Sequence, residues 1–404
     1  MIHSLSGAGM GKESFTTISL AAAWGAAAVL AGLCGDGSAS AADLPLVAKA
    51  PPKTADAGNP FWVEVDALGW SVKGDRPPAL LTTSPAGTPP AQAGVLGAPT
   101  TSVLFGDSSV NGGWRPGGQL RAGYWLDPQR DKGIEFSFFD LEDGSSGIAA
   151  NSATNAILAR PFFNTATGAQ DTQLVAFPGF LTGGATVSET SRLLGAGALY
   201  RGDIGSLAGQ RISALIGYRY LHSSDSLTIA SASSAAIFPI SFGASDAFHA
   251  RSDFHGVDLG IAGEWTRGLW SLEWRGKVAL GANLSSAQIS GATTTSFGGV
   301  TTTAPGGLLA LSSNIGNFSQ TRFSAVPEVS VKAGYQVAPQ WRIVAGYDLL
   351  YWTGVQRAGG LIDTTINPNL LPPATPGGPQ RPQPVFNTSP LLAQGFNVGV
   401  RYDY

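Results

Sequence analysis

The chain has 404 residues, of which 13% are charged against ~25% in an average globular protein; it carries 54 glycines, a single cysteine and a net charge of −3. No run or stripe of Lys and Arg is present, which excludes a nucleic-acid binder, because neutralising phosphates needs clustered positive charge. Low charge with abundant Gly, Ser, Thr and Ala suits membrane strands joined by polar loops.

The amino-terminal end reads as an export signal. Lys12 precedes an apolar, Ala-rich run from Ile18 to Leu33, too short and too weakly apolar for the ~20-residue helix that crosses a bilayer. Ala39-Ser-Ala41 is a small-x-small cleavage pattern, so residues 1–41 are predicted to be a signal peptide; an uncleaved anchor helix is the alternative. A lipoprotein reading of Cys34 fails because Leu33 stands where a small residue is needed. Cleavage after Ala41 would remove the only thiol, which suits an oxidising compartment. Residues 42–59 are rich in Pro, Ala and Lys without periodicity and read as a flexible periplasmic leader.

From residue 60 onward no helical periodicity holds for more than a turn or two; the recurring unit is a hairpin of alternating strands. Leu120, Ala122, Tyr124 and Leu126 alternate with Gln119, Arg121 and Gly123, and after the Asp127-Pro128 turn Ile134, Phe136 and Phe138 alternate with Glu135 and Ser137. Each matches one crossing by a tilted strand of ~9–11 residues. The segment 211–221 sets Ile212, Ile216, Tyr218 and Tyr220 against Arg211, Ser213 and Arg219. Val257, Leu259, Ile261 and Trp265 then alternate with Asp258 and Glu264, and the return strand puts Trp270, Leu272, Trp274, Val278 and Leu280 opposite Glu273, Arg275 and Lys277. Three charges at period two make little sense in a dry two-layer core; they need water or each other. Glu328, Lys332, Arg342 and Asp348 fall on the same kind of face in the next pair. Trp265, Trp270 and Trp341 lie beside short turns, as an aromatic girdle at one membrane interface requires. At the carboxy-terminus, Phe396, Val398, Val400, Tyr402 and Tyr404 form one apolar row against Asn397, Gly399, Arg401 and Asp403, the pattern of a barrel-closing strand; a soluble sandwich strand is the alternative.

Short turns near 127–131, 203–209, 266–268 and 338–340 alternate with long Ser, Thr, Pro and Gly-rich segments at about 72–116, 144–187, 224–250, 286–320 and 357–391. The fold expected is all-β: a single transmembrane antiparallel up-and-down β-barrel over residues 60–404, with ~10 strands (12 if the long segments hide two more), short periplasmic turns and long extracellular loops.

Several segments carry a specific resemblance. Trp70-Ser-Val-Lys-Gly-Asp75, Leu81-Thr-Thr-Ser-Pro85, Val103-Leu-Phe-Gly106, Gly123-Tyr-Trp-Leu-Asp127, Ile157-Leu-Ala-Arg-Pro-Phe-Phe-Asn164, Leu174-Val-Ala-Phe-Pro-Gly179, Gly307-Leu-Leu-Ala-Leu311 and Leu350-Tyr-Trp352 resemble, in this order, the beta barrel porin seven (BBP-seven) family of outer-membrane proteins. The resemblance implies a porin-like barrel and brings no catalytic residues with it, since fold alone does not set function.

Strand parity places Arg121, Glu135, Arg219, Asp258, Glu264, Glu273, Arg275, Lys277, Glu328, Lys332, Arg342, Asp348 and Arg401 in the lumen, with Glu64, Asp66 and Asp403. A barrel of roughly eight to ten strands is largely filled by side chains, so these charges should pair across strands and leave at most a narrow, weakly selective passage. A structural or surface-presenting role fits equally. The alternative is a non-conducting adhesion or ligand-binding barrel acting through its loops, whose apolar clusters at 161–163, 177–181, 308–311 and 366–371 should pack into a lid over the mouth. Asp253 and His255, two apart on one face, raise a remoter alternative, a rim protease of omptin type; that chemistry also needs a second acidic pair, and Asp140 and Asp143 are not spaced to share a face. His222, His249 and His255 lack the spacing of a zinc site. No enzymatic activity, cofactor or metal is expected. The partners expected are outer-membrane lipid, the barrel-assembly machinery acting on the carboxy-terminal strand, and small polar solutes, with localisation in the outer membrane of a Gram-negative-type envelope after signal-peptide cleavage.

Overall fold

The computed structural model describes residues 60–375 and 377–404, so the predicted signal peptide and leader lie outside the described residues. In chain order, β1 (Phe61–Val72) leads to two short strands, β2 (Leu81–Ser84) and β3 (Ser102–Phe105), then to β4 (Gly113–Trp125) and β5 (Lys132–Asn151). After short β6 (Ile157–Asn164) and β7 (Ala169–Ala176) come the longest strands, β8 (Leu181–Leu207), β9 (Gln210–Ala235), β10 (Ile240–Arg267) and β11 (Trp270–Phe297). The chain finishes with β12 (Val300–Pro305), β13 (Gly316–Ala338), β14 (Trp341–Gln356), β15 (Thr365–Ile366) and β16 (Thr388–Asp403).

Ten of these strands form a closed antiparallel ring in the order β1, β4, β5, β8, β9, β10, β11, β13, β14, β16. The ring shuts where β16 lies against β1, with Val63 opposite Tyr402 and Val65 opposite Val400, and the Tyr404 N–H donates to Phe61 O at 3.0 Å. Closure leaves no free edge, the condition for strands to cross hydrocarbon. The outer face is apolar on every crossing: Val65, Leu120, Phe136, Tyr200, Ile216, Val257, Leu272, Val331, Ile343 and Val398 are all exposed on it. Trp270 packs on Tyr335 with ring centroids 4.8 Å apart and Trp341 on Tyr402 at 4.7 Å, both at the short-turn end, and Trp265 sits at the same end. The three tryptophans expected as a girdle thus lie together at the short-turn end.

The loop boundaries differ from those read in the sequence. Residues 224–250 and 286–320 are mostly strand; β9 and β10 pair continuously from Glu264 opposite Arg211 to Ser241 opposite Ser234, leaving a turn at 236–239. The Ser, Thr and Ala residues that look like loop composition lie in long ladders whose outer face has turned polar: above Tyr220 and His255 the outward residues are His222, Asp253, Arg251, Ser224, Ser226 and His249. The lipid-facing band therefore ends there, and β8 to β11 continue as a wall beyond the membrane. Propensity and composition cannot distinguish a loop from a strand that is half in water, because pairing with a neighbour decides it.

Candidate functional site

Three layers fill the barrel from the short-turn end outward. The first is ionic. Arg121 contacts Glu64 at 3.0 Å, Glu135 at 3.2 Å and, from the opposite side of the ring, Glu273 at 3.3 Å. Arg275 binds both Glu135 and Glu273. Lys332 reaches Glu64 at 2.7 Å, Lys277 bridges Asp258 at 3.3 Å and Glu328 at 3.0 Å, and Arg219 meets Glu328 at 2.6 Å. Nearer the short-turn end Arg201 faces Glu264 at 3.6 Å, and Arg401 holds Asp403 at 2.9 Å while stacking over Trp62. The Asn397 amide donates to Asp348 at 2.6 Å, and Arg342 donates to Gln336 at 3.3 Å. Thus all thirteen lumen charges read from parity face inward. Bonds from β4 and β5 to β11 cross the lumen and tie its two sides together.

The second layer was missed by the sequence reading. Leu68, Trp70, Phe139, Leu193, Leu221, Phe254, Ala279, Val326, Leu350, Trp352 and Ala393 form one buried apolar cluster drawn from nine of the ten ring strands. Gly195 makes room for it, since a Cβ there would stand 2.4 Å from the Phe139 ring. The signal was available: Trp70 shares the face of Glu64 and Asp66, and Phe139 that of Glu135.

The third layer is a lid. β15, β6, β2 and β3 form a small sheet in that order, with β7 on β6. Its apolar residues, among them Leu80, Leu81, Leu158, Phe162 and Val175, pack with Leu308–Leu311 on the inner face of the extended wall, Val187, Leu227, Ile229, Phe248 and Ile289. Of the four apolar clusters expected to form a lid, 161–163, 308–311 and Ile366 are largely buried, whereas in 177–181 Phe180 remains exposed at the rim.

Buried ions pin lid to wall. Arg160 of β6 bonds Asp246 of β10, and the same carboxylate accepts the N–H groups of Leu308 (3.0 Å), Leu309 (3.0 Å) and Ala310 (2.7 Å). Arg357, following β14, bonds Asp225 of β9. Asp75 accepts the Gly359 N–H at 2.7 Å, and Arg115 donates to Ser191 Oγ at 2.6 Å. Close to this group Glu189 is fully buried with neither carboxylate oxygen hydrogen-bonded. Burial, reinforced by the Asp75 and Asp225 carboxylates, pushes Glu189 up to about 8. Burial also raises Asp225, to about 6, against the pull of Arg357. Asp75, Arg160 and 308–311 lie in segments that carry the family resemblance, but nothing in the sequence marked them as partners of the wall; Glu189, Asp225, Asp246 and Arg357 were not singled out, and the one available sign was that Asp225 and Asp246 bracket a charge-free run.

Asp253 and His255 share a face, as their spacing predicted, but it is the outer wall and not the mouth. Asp253 accepts from Tyr220 at 2.7 Å and pairs with His222 at 2.9 Å, whereas His255 is hydrogen-bonded to Tyr218 at 2.5 Å. Asp140 is taken up by Arg192 at 3.2 Å. His249 stands six residues along β10 from His255, roughly 20 Å at strand rise, so the three histidines do not converge.

Among solved structures, the translocator domain of the autotransporter NalP from Neisseria meningitidis is 12% identical, covering 96% of this chain and 98% of its own, with a TM-score of 0.21. The P. putida toluene transporter TodX is 12% identical over 87% of this chain and 91% of its own, with a TM-score of 0.20. OmpT, an outer membrane protein of Vibrio cholerae, is 10% identical over 87% and 99%, with a TM-score of 0.16. Likenesses this distant carry no argument about function. No curated protein matches the chain. The family model described as "Putative beta barrel porin-7 (BBP7)" matches residues 62–404. That match takes in the whole ring, its filling and its lid, and the chain belongs to the BBP7 family of outer-membrane β-barrel proteins.

Proposed function

We propose that this protein is a closed outer-membrane barrel that works from its cell-surface side, presenting the lid and the extended wall, with the ionic layer acting as an internal staple. The observation that carries this reading is the stacking of two apolar layers, the Trp70–Phe139–Phe254–Trp352 cluster and the lid core, across the lumen above the charge network. Hydrated solutes entering from the periplasm would meet a section filled mainly by apolar side chains, which offers them few hydrogen-bonding groups in place of their water. Purified, refolded protein in a planar bilayer should give no discrete conductance steps in concentrated KCl; regular steps would overturn the reading.

A gated passage for small polar solutes is the second reading, favoured by the ionic lower half, which could be rehydrated if the apolar filling above it moved. The family's porin description fits that alternative. Neither reading uses Asp253 or His255 in catalysis, because they have different partners and face away from the mouth. On either reading the protein sits in outer-membrane lipid, and the exposed row Phe396, Val398 and Val400 ending at Tyr404 is the segment the assembly machinery would engage.

A further inference from the structure

Three neighbouring turns end the extended wall, and each carries exposed apolar side chains. Phe180 precedes β8 (62% exposed), Ile237 and Phe238 occupy the turn between β9 and β10 (71% and 66%), and Phe297 and Val300 flank the turn between β11 and β12 (61% and 67%). They form one rim: the Ala236 N–H donates to Phe180 O at 2.9 Å, and Ile240 pairs with Phe297 across β10 and β11. The Phe177 and Phe180 rings lie 5.9 Å apart. The segments 172–188, 226–245 and 278–321, which build this end of the wall, contain no charged residue.

We propose that this rim is a lipid-contacting surface that inserts its aromatic tips into the interfacial layer of a bilayer facing the cell. The protein's own membrane is out of reach, because His255, where the outer face turns polar, is fifteen residues from Ile240 along β10, roughly 50 Å along the strand and on the order of 35–40 Å in height for a strand tilted by about 35–45°. Separate apolar knobs on narrow turns, without charges to desolvate, have the chemistry that enters an uncharged lipid interface. A protein partner is disfavoured because the rim offers no charge to set register or steer encounter. Large exposed apolar groups also need a use, since they otherwise promote aggregation.

The inference rests on the surface-side reading above, but its test is separate. The full chain carrying Cys34→Ala and Phe238→Cys, labelled at residue 238 with an environment-sensitive fluorophore and held in lipid nanodiscs, is mixed with phosphatidylcholine vesicles. Insertion predicts a blue shift, quenching by vesicle lipids brominated in their acyl chains, and a roughly tenfold or greater loss of apparent affinity for each of Phe180→Ser and Phe297→Ser. An unshifted spectrum overturns the proposal. So does a shift that grows with nanodisc concentration without vesicles, which would identify a second copy as the occupant, or one produced by a neutral polysaccharide instead of lipid. Silence at residue 238 in a barrel that does not conduct would remove the lipid partner and leave the closed-barrel reading standing; a response in a conducting barrel would do the reverse.

Discussion

Arg275 on β11 holds Glu273 on its own strand and Glu135 across the lumen, and among the described residues only Arg121 shares both partners. Replacing it with Leu would leave buried carboxylates short of a cation, and breaking a buried pair from one side costs about 3–5 kcal/mol. Arg275→Leu should therefore lower the thermal midpoint of the refolded barrel, and Glu135→Gln on top of it should recover part of the loss. An unchanged midpoint would show that water or Arg121 compensates fully. Glu189 gives a pH signature. Its ordinary value is 4.5 and the folded state raises it to about 8, so the neutral form is the one the fold favours. The stability this contributes is complete below pH 4.5, declines as pH rises from there to about 8, and is absent above. Melting curves of wild type and Glu189→Gln should differ in slope across that window, with the variant less pH-sensitive; identical slopes would contradict the dry carboxyl.

At the scale of elements, the long wall and the lid depend on one another. The inner face of β8 to β11 beyond the membrane is apolar and would be wet without the lid, and the lid sheet has too few residues to bury a core of its own. The segment 307–311 is where the two meet, because its N–H groups converge on Asp246. A Cβ at Gly307 would lie 2.3 Å from Asp246 Oδ1 and 2.4 Å from Ser245 O, so backbone and carboxylate leave no space for a larger residue. Gly307→Val should push this segment off the wall and expose it to limited proteolysis, with cleavage near 307–311 in the variant and protection in wild type. Equal protection would mean that the Arg160–Asp246 and Arg357–Asp225 pairs hold the lid without this loop.

For the whole molecule, the question is whether the filling is permanent. Ionic crosslinks close the lower lumen, an apolar layer closes the middle, and the lid closes the top. The closed-barrel reading requires the Gly307→Val protein to remain silent in planar bilayers even when its lid is protease-sensitive, because the Trp70 and Phe254 layer stays in place beneath. Steps appearing in that variant alone would favour the gated passage.

Sequence by itself determined the features that depend on neighbours two residues apart. Alternation around Arg121, Asp258, Glu273 and Arg401 separates a lipid face from an interior face, since successive side chains on a strand must point opposite ways; the sequence left ten or twelve crossings open, and strand pairing decided for a closed ring of ten. What required the tertiary structure was everything that depends on which distant segments meet. The Ser and Thr ladders of 224–250 are strand because β8, β9, β10 and β11 pair there. Arg160 and Asp246, 86 positions apart, become partners because the lid folds into the concave wall. Parity assigns a side chain to a face; only packing in three dimensions determines whether that face holds water, an ion pair or a dry core.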